Sequence, residues 1–165
     1  MLTGKNLVIL GFVVVVFVIL QVILITVGKV DNPAEAAIEF TKAYYMLDGP
    51  AMSELLCNEL ADDEKADVVG TYLNSVAVLA RSMGFSRNYM RSQLCDIKTE
   101  TQMVDENNAT VRITGERLRS INPVYAMVGR LFFLIKSHKV DETLSLVKEE
   151  GGWKVCGEPF SVSEI

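Results

Sequence analysis

From Leu7 to Val27 the chain reads LVILGFVVVVFVILQVILITV, an apolar run without a single charge. No other stretch restricts the possible folds as strongly. At ~1.5 Å rise per helical residue it reaches across roughly the ~30 Å hydrocarbon core of a bilayer. It lacks the polar face that a surface helix turns to water. A cleaved signal peptide carries a shorter apolar stretch, about 7–15 residues, ahead of a small-x-small site. Here Thr26-Val27-Gly28-Lys29 follows instead. The run is expected to be an uncleaved membrane-spanning anchor in contact with the lipid bilayer. Residues 1–29 then form a cytoplasmic tail and anchor, and residues 30–165 an exported domain. Gly11 and Gln21 interrupt the run without any small-xxx-small pattern, so lipid-facing tolerance is expected at both. Lys5 precedes the segment while Lys29 and Lys42 follow it, so positive charge alone nearly balances. The short tail favours a cytoplasmic amino terminus.

Charge divides the chain at the same place. Lys5 and Lys29 account for two of the 16 basic residues, leaving 16 − 2 = 14 against all 21 acidic ones. The part after Lys29 is therefore near −7, the wrong sign for nucleic acid or anionic lipid, which need Lys and Arg to neutralise phosphate. Arg81, Arg87 and Arg91 are the one basic concentration, and their expected role is a solvated face. The three cysteines, Cys57, Cys95 and Cys156, are too few for a disulfide scaffold and show no metal-ligand spacing. Buried thiols acting as small hydrophobes and one intramolecular disulfide both fit, and all three pairings stay open.

Beyond the anchor the hydrophobic period is first helical, then that of a strand. Asn32-Pro33 is a cap-and-proline helix start, followed by Ala36/Ala37, Phe40, Ala43/Tyr44 and Leu47 at three-and-four spacing, with Gly49-Pro50 as the stop. A short second helix is expected to carry Met52, Leu55, Leu56 and Leu60. A third starts in the acidic cluster Asp62, Asp63, Glu64 and Asp67, with Val69, Tyr72/Leu73, Val76, Leu79/Ala80 and Met83 on its apolar face and Gly84 ending it. Acidic groups suit a helix amino terminus, so no metal is expected there. From Gln93, Cys95, Ile97, Thr99, Thr101 and Met103 alternate with polar neighbours as a half-wet strand. Residues 105–108 turn the chain into a return strand with Ala109, Val111 and Ile113 inside. A second hairpin runs from Val140 to Val147, turns at Glu149-Glu150-Gly151-Gly152, and returns through Trp153 to Cys156. Between the hairpins, residues 122–136 form an apolar insertion too short to cross a bilayer. It suits a core element or a segment lying against the membrane.

The opening helix AAIEFTKAYYMLDGPAMSELL (36–56), the helical triplet and the closing LVKEEGGWKV (146–155) together resemble the cystatin-like, nuclear-transport-factor-like superfamily. The likeness is to its bacterial membrane-anchored exported domains of unknown function. That resemblance implies an α+β fold in which helices pack on a curved antiparallel sheet, forming a cone with a concave pocket. It also implies a single-pass protein of the bacterial inner membrane with its domain in the periplasm or outside. The insertion at 122–136 departs from the pattern and is able to plug the pocket.

No catalytic set emerges. His138 is placed as a surface residue, and Asp96 and Glu100 oppose the buried set of their strand. Tyr44, Tyr45, Tyr72, Tyr89 and Tyr125 fall at or beside apolar faces, where phenols ordinarily pack. No acid–base pair, GxSxG, HExxH or phosphate loop is present. No catalytic residue, cofactor or metal is expected. The leading expectation is a membrane-tethered interaction or assembly module with an envelope protein partner or a second copy. A domain binding a small apolar ligand or peptide is the alternative, and an isomerase- or dehydratase-like enzyme the second. Candidate contact residues are Tyr44, Tyr72, Tyr125, Phe133 and Trp153.

Overall fold

The computed structural model describes residues 15–16, 31–61, 67–119, 137–150 and 152–160. Of the expected membrane anchor only Val15 and Val16 lie within these, both helical and exposed. The rest of that segment and the insertion at 122–136 fall outside the described residues. Among the described residues no helix is long and apolar enough to cross a membrane. The chain divides into two compact units, Met1–Val30 and Asp31–Ile165, and the second is described below.

It is an α+β unit. Among the described residues four helices come first: α1 (Pro33–Met46), α2 (Gly49–Leu55), α3 (Asn58–Ala61) and α4 (Val68–Ser82). A 3-10 turn, Arg87–Met90, leads into the strands β1 (Ser92–Met103), β2 (Asn108–Arg119), β3 (Ser137–Glu149) and β4 (Gly152–Cys156). The strands form one antiparallel sheet in the order β1-β2-β3-β4.

The helix starts follow from their caps. Asn32 Oδ1 accepts from the Ala34 amide and Pro33 opens α1, satisfying a donor that the first turn leaves orphaned. The expected stop at Gly49-Pro50 is corrected. α1 ends at Leu47, held left-handed at φ 55, with the Asp48 amide donating to the Ala43 carbonyl. Gly49-Pro50 instead begins α2, capped by Asp48; proline suits a first turn as well as a terminus. Of the acidic cluster Asp67 lies within the described residues, and it is likewise a cap, accepting from the Gly70 amide at 2.7 Å. Gly84 (φ 77) closes α4 while the Phe85 amide returns to the Ala80 carbonyl, which only a residue at ease with positive φ allows cheaply.

α1 lies across all four strands. Its Ala36, Ala37, Phe40 and Tyr44 are buried, as are Val69, Tyr72, Val76 and Ala80 of α4. Leu79 and Met83, expected on that apolar face, are 40% and 46% exposed. The sheet contributes Ala109, Val111, Ile113, Val140, Leu144, Leu146, Trp153 and Val155 to the core. Its other face is polar and carries Arg112, which binds Asp141 through both nitrogens at 2.7 Å and faces Glu100 at 3.6 Å. The Arg112 guanidinium holds the Asp141 carboxyl below the usual carboxylate range.

The β1 alternation needs correcting on both sides of a bulge. Between Cys95 and Lys98 the register shifts, so Asp96 and Ile97 stand against Gly115 alone. Asp96 takes a left-handed φ of 51. The extra residue reverses the phase. Cys95 pairs with Glu116, on the face away from the core, while Thr99 pairs with buried Ile113. Thr101 and Met103, placed inside by the alternation, are exposed because β1 runs past the helical layer.

Candidate functional site

Where helices meet sheet, a group of aromatic side chains fills the interior. Tyr44 and Tyr72 stack with centroids 4.7 Å apart and planes 19° from parallel. Phe160 continues the stack against Tyr72 at 5.1 Å and approaches Phe40 at 6.0 Å. Tyr45 meets Tyr44 edge-on at 5.2 Å, and the Arg117 guanidinium of β2 lies 5.5 Å over its ring. These are favoured arrangements, because ring faces are negative and edges positive. Tyr44, Tyr45, Tyr72 and Arg117, together with Leu47, Val76 and Met90, enclose a cavity of about 10 Å³, room for a single water.

The phenols are shielded from ionising. Burial pushes Tyr45 up to about 12; Glu142 adds to this and Arg117 opposes it. Tyr44 and Tyr72 are also raised, chiefly by burial, and their hydroxyls are hydrogen-bonded to each other. Glu142 is the carboxylate of this site. It stands opposite Ile113 on β3, in the alternating set Val140, Glu142, Leu144 and Leu146 that turns toward the helices. No carboxylate is expected at an inward position from the sequence, and Glu142 stands at one. The signal was present as the period-2 pattern of β3, in which one charge interrupts an apolar row. Arg117 occupies the corresponding row of β2, and Phe160 follows the last strand beyond any periodic pattern.

The other candidate residues are dispersed. Trp153 is 4% exposed on the helix-facing side of β4, beside Val155, as a core residue. Tyr125 and Phe133 lie outside the described residues. Of the three cysteine pairings, Cys57 and Cys156 form the bridge, with Cα atoms 5.5 Å apart, and Cys95 is a half-buried free thiol. The bridge sits at the open side of β4. Leu56 makes an isolated parallel pair with Val155, and the Cys57 amide donates to the Val155 carbonyl at 3.0 Å. Lys154 Nζ donates to the Glu54 carbonyl, and the Asn58 amide to Glu149. The β4 edge is thereby covered. The Glu59 carboxylate lies within 4.8 Å of both bridged sulfurs, which hold each other and are not thiolates able to bind a metal.

At the opposite end of the sheet stands β1. Beyond the bulge its register with β2 is regular from Lys98 to Met103. On the solvent face of this end strand Lys98 and Glu100 alternate, both exposed.

No protein-family model matches the chain, and a search of curated proteins finds no match.

Proposed function

We propose that the chain is a membrane-tethered interaction module of the bacterial cell envelope, without catalytic activity, that assembles through the edge of β1. The segment from Leu7 to Val27 is its anchor, and the unit from Asp31 onward, read as a cystatin-like cone, lies on the periplasmic or outer side. The observation that carries this reading is the filled interior. Small-molecule pockets run to about 300 Å³ and above, and the tyrosine cavity has about 10 Å³. An apolar ligand in the cone, or a substrate beside Glu142 and Tyr45, would have to displace the aromatic stack.

The partner that fits the β1 edge is a second copy. Antiparallel pairing about a two-fold at Thr99 sets Lys98 against Glu100 of the other copy, twice, on one face. Opposite charges directly across a strand pair are favourable, and an end strand is a ready template for added pairing. The bulge at Asp96 confines this pairing to the regular part of the strand.

The test uses the full chain in bilayers with Cys95→Ser as background. Thr99→Cys is expected to cross-link into a dimer on mild oxidation, and Gln93→Cys, on the far side of the bulge, is not. Glu100→Lys should lower the dimer fraction, and Lys98→Glu combined with it should restore it. A Thr99→Cys chain that stays monomeric by cross-linking and by sedimentation would overturn the assembly reading.

A further inference from the structure

Two of the three arginines expected on a solvated face, Arg87 and Arg91, come together at a cleft, while Arg81 does not. Arg87 and Arg91, from the 3-10 turn and its end, line one cleft with Met46, Leu47, Pro50 and Leu73. Its volume is about 440 Å³. The left-handed turn at Leu47 throws the start of α2 against α4, where a Cβ on Gly49 would stand 3.0 Å from Leu73 Cδ1. This turn supplies the apolar wall, and the arginines supply the other.

Among the described residues neither arginine makes an ion pair; the ion pairs there belong to Arg112. Among the described residues Arg91 Nε is buried and has no hydrogen-bond partner, a costly state for a donor on a charged group. One carboxylate, Asp48, lies in the same cleft. Its Oδ1 accepts from the Ala51 amide as the α2 cap, so it is engaged locally. A guanidinium presents its N–H groups as a planar fork matched to carboxylate and phosphate oxygens.

We propose that this cleft binds an amphiphilic oxyanion. A carboxylate or phosphate head is held by Arg87 and Arg91, and an apolar tail lies along Met46, Leu47, Pro50 and Leu73. The site is separate from the β1 edge and does not depend on assembly there.

The test is a titration of the full chain in phosphatidylcholine nanodiscs, followed by the Arg91 Nε–Hε and Gly49 amide resonances. Hexanoate and hexyl phosphate are expected to shift both, saturably. Inorganic phosphate is expected to bind more weakly for want of a tail, and hexylammonium not to bind. Arg91→Gln and Arg87→Gln should each weaken hexyl phosphate by about tenfold, with thermal unfolding unchanged. Arg91→Lys keeps the charge without the fork and should recover only part of the loss. If phosphatidylglycerol in the nanodisc alone produces the shifts, the head group comes from the membrane; if only the soluble probes do, it comes from a free ligand. Equal binding of hexylammonium, equal binding of inorganic phosphate, or wild-type affinity in the Arg87→Gln/Arg91→Gln double variant would overturn the proposal.

Discussion

A Cβ placed on Gly115 would stand 3.0 Å from the backbone carbonyl oxygen of Cys95. This contact is where β2 receives the bulge of β1, since Asp96 and Ile97 share Gly115 as their one opposite residue. Alanine for glycine in a strand ordinarily stabilises a protein by about 0.5–1 kcal/mol through the unfolded chain. At Gly115 the sign reverses, because the neighbour is bulged backbone rather than a side chain that swings aside. Gly115→Ala is expected to lower stability by about 1 kcal/mol and Gly115→Val by more. Urea denaturation of the two variants checks it. A stabilised Gly115→Ala would mean that the bulge relaxes freely.

The bridge between Cys57 and Cys156 joins residues 99 apart in sequence. It fastens the segment after α2 to the β4 edge, where Leu56 pairs with Val155. A cross-link closing so long a loop restricts the unfolded chain and is worth about 2–4 kcal/mol. Cys57→Ser/Cys156→Ser is expected to lower the denaturant midpoint accordingly. Thiol labelling of unreduced, unfolded protein should find Cys95 alone, and labelling after reduction all three cysteines. Three labels before reduction would rule the bridge out.

Removing Phe160 should open a void at the end of the tyrosine stack. Its ring lies 5.1 Å from Tyr72 and 6.3 Å from Tyr44, at the end of the stack. Because Phe160 is half-buried, Phe160→Ala should cost less than a core Phe→Ala, about 2 kcal/mol against the usual 3–5. The void left beside the Tyr72 and Tyr44 rings should take up an apolar dye that the native chain refuses. Equal dye uptake by the native chain would show that the stack opens by itself.

Much of the architecture was legible because it rests on local rules. Asn32-Pro33 announces a helix start, the apolar face of α4 follows the 3.6 period, and residues 149–152 mark a hairpin turn. The failures are tertiary. Nothing around Cys95 in the sequence indicates that Asp96 adopts a left-handed conformation, and this one residue moves Cys95 to the opposite face. Gly49-Pro50 reads as a stop because Pro50 fits either side of a helix boundary, and the deciding feature, the Asp48 cap, is a local hydrogen bond that the spacing of apolar residues does not reveal. The site was legible in part. Tyr44 and Tyr72 were singled out by helical spacing, whereas their meeting with Phe160 depends on where the chain returns after β4. Glu142 is within reach of the same alternation that locates its neighbours, although a charge in an apolar row reads as a break in the pattern.

Glu142 and Arg117 act on the tyrosines with opposite signs, which makes the electrostatics of the site testable. Tyr45 ionises near 10 when unfolded and is pushed up to about 12 in the folded chain, first by burial and then by Glu142. A phenol with a raised folded pKa stabilises fully below pH 10, because both states then hold the proton. Between pH 10 and about 12 the unfolded chain gives up the proton and the folded chain keeps it, so stability falls across that window. The loss from Tyr45 is of order 2–3 kcal/mol. Tyr44 and Tyr72 add to it in the same direction, since burial raises both. Tyr45→Phe should flatten this alkaline decline. Glu142→Gln removes a negative neighbour and should bring Tyr45 ionisation to lower pH; Arg117→Gln removes a positive one and should take it higher. Phenolate absorbance during an alkaline titration reads both shifts. An unchanged titration in both variants would mean that burial alone sets the tyrosines and that neither charge acts on them.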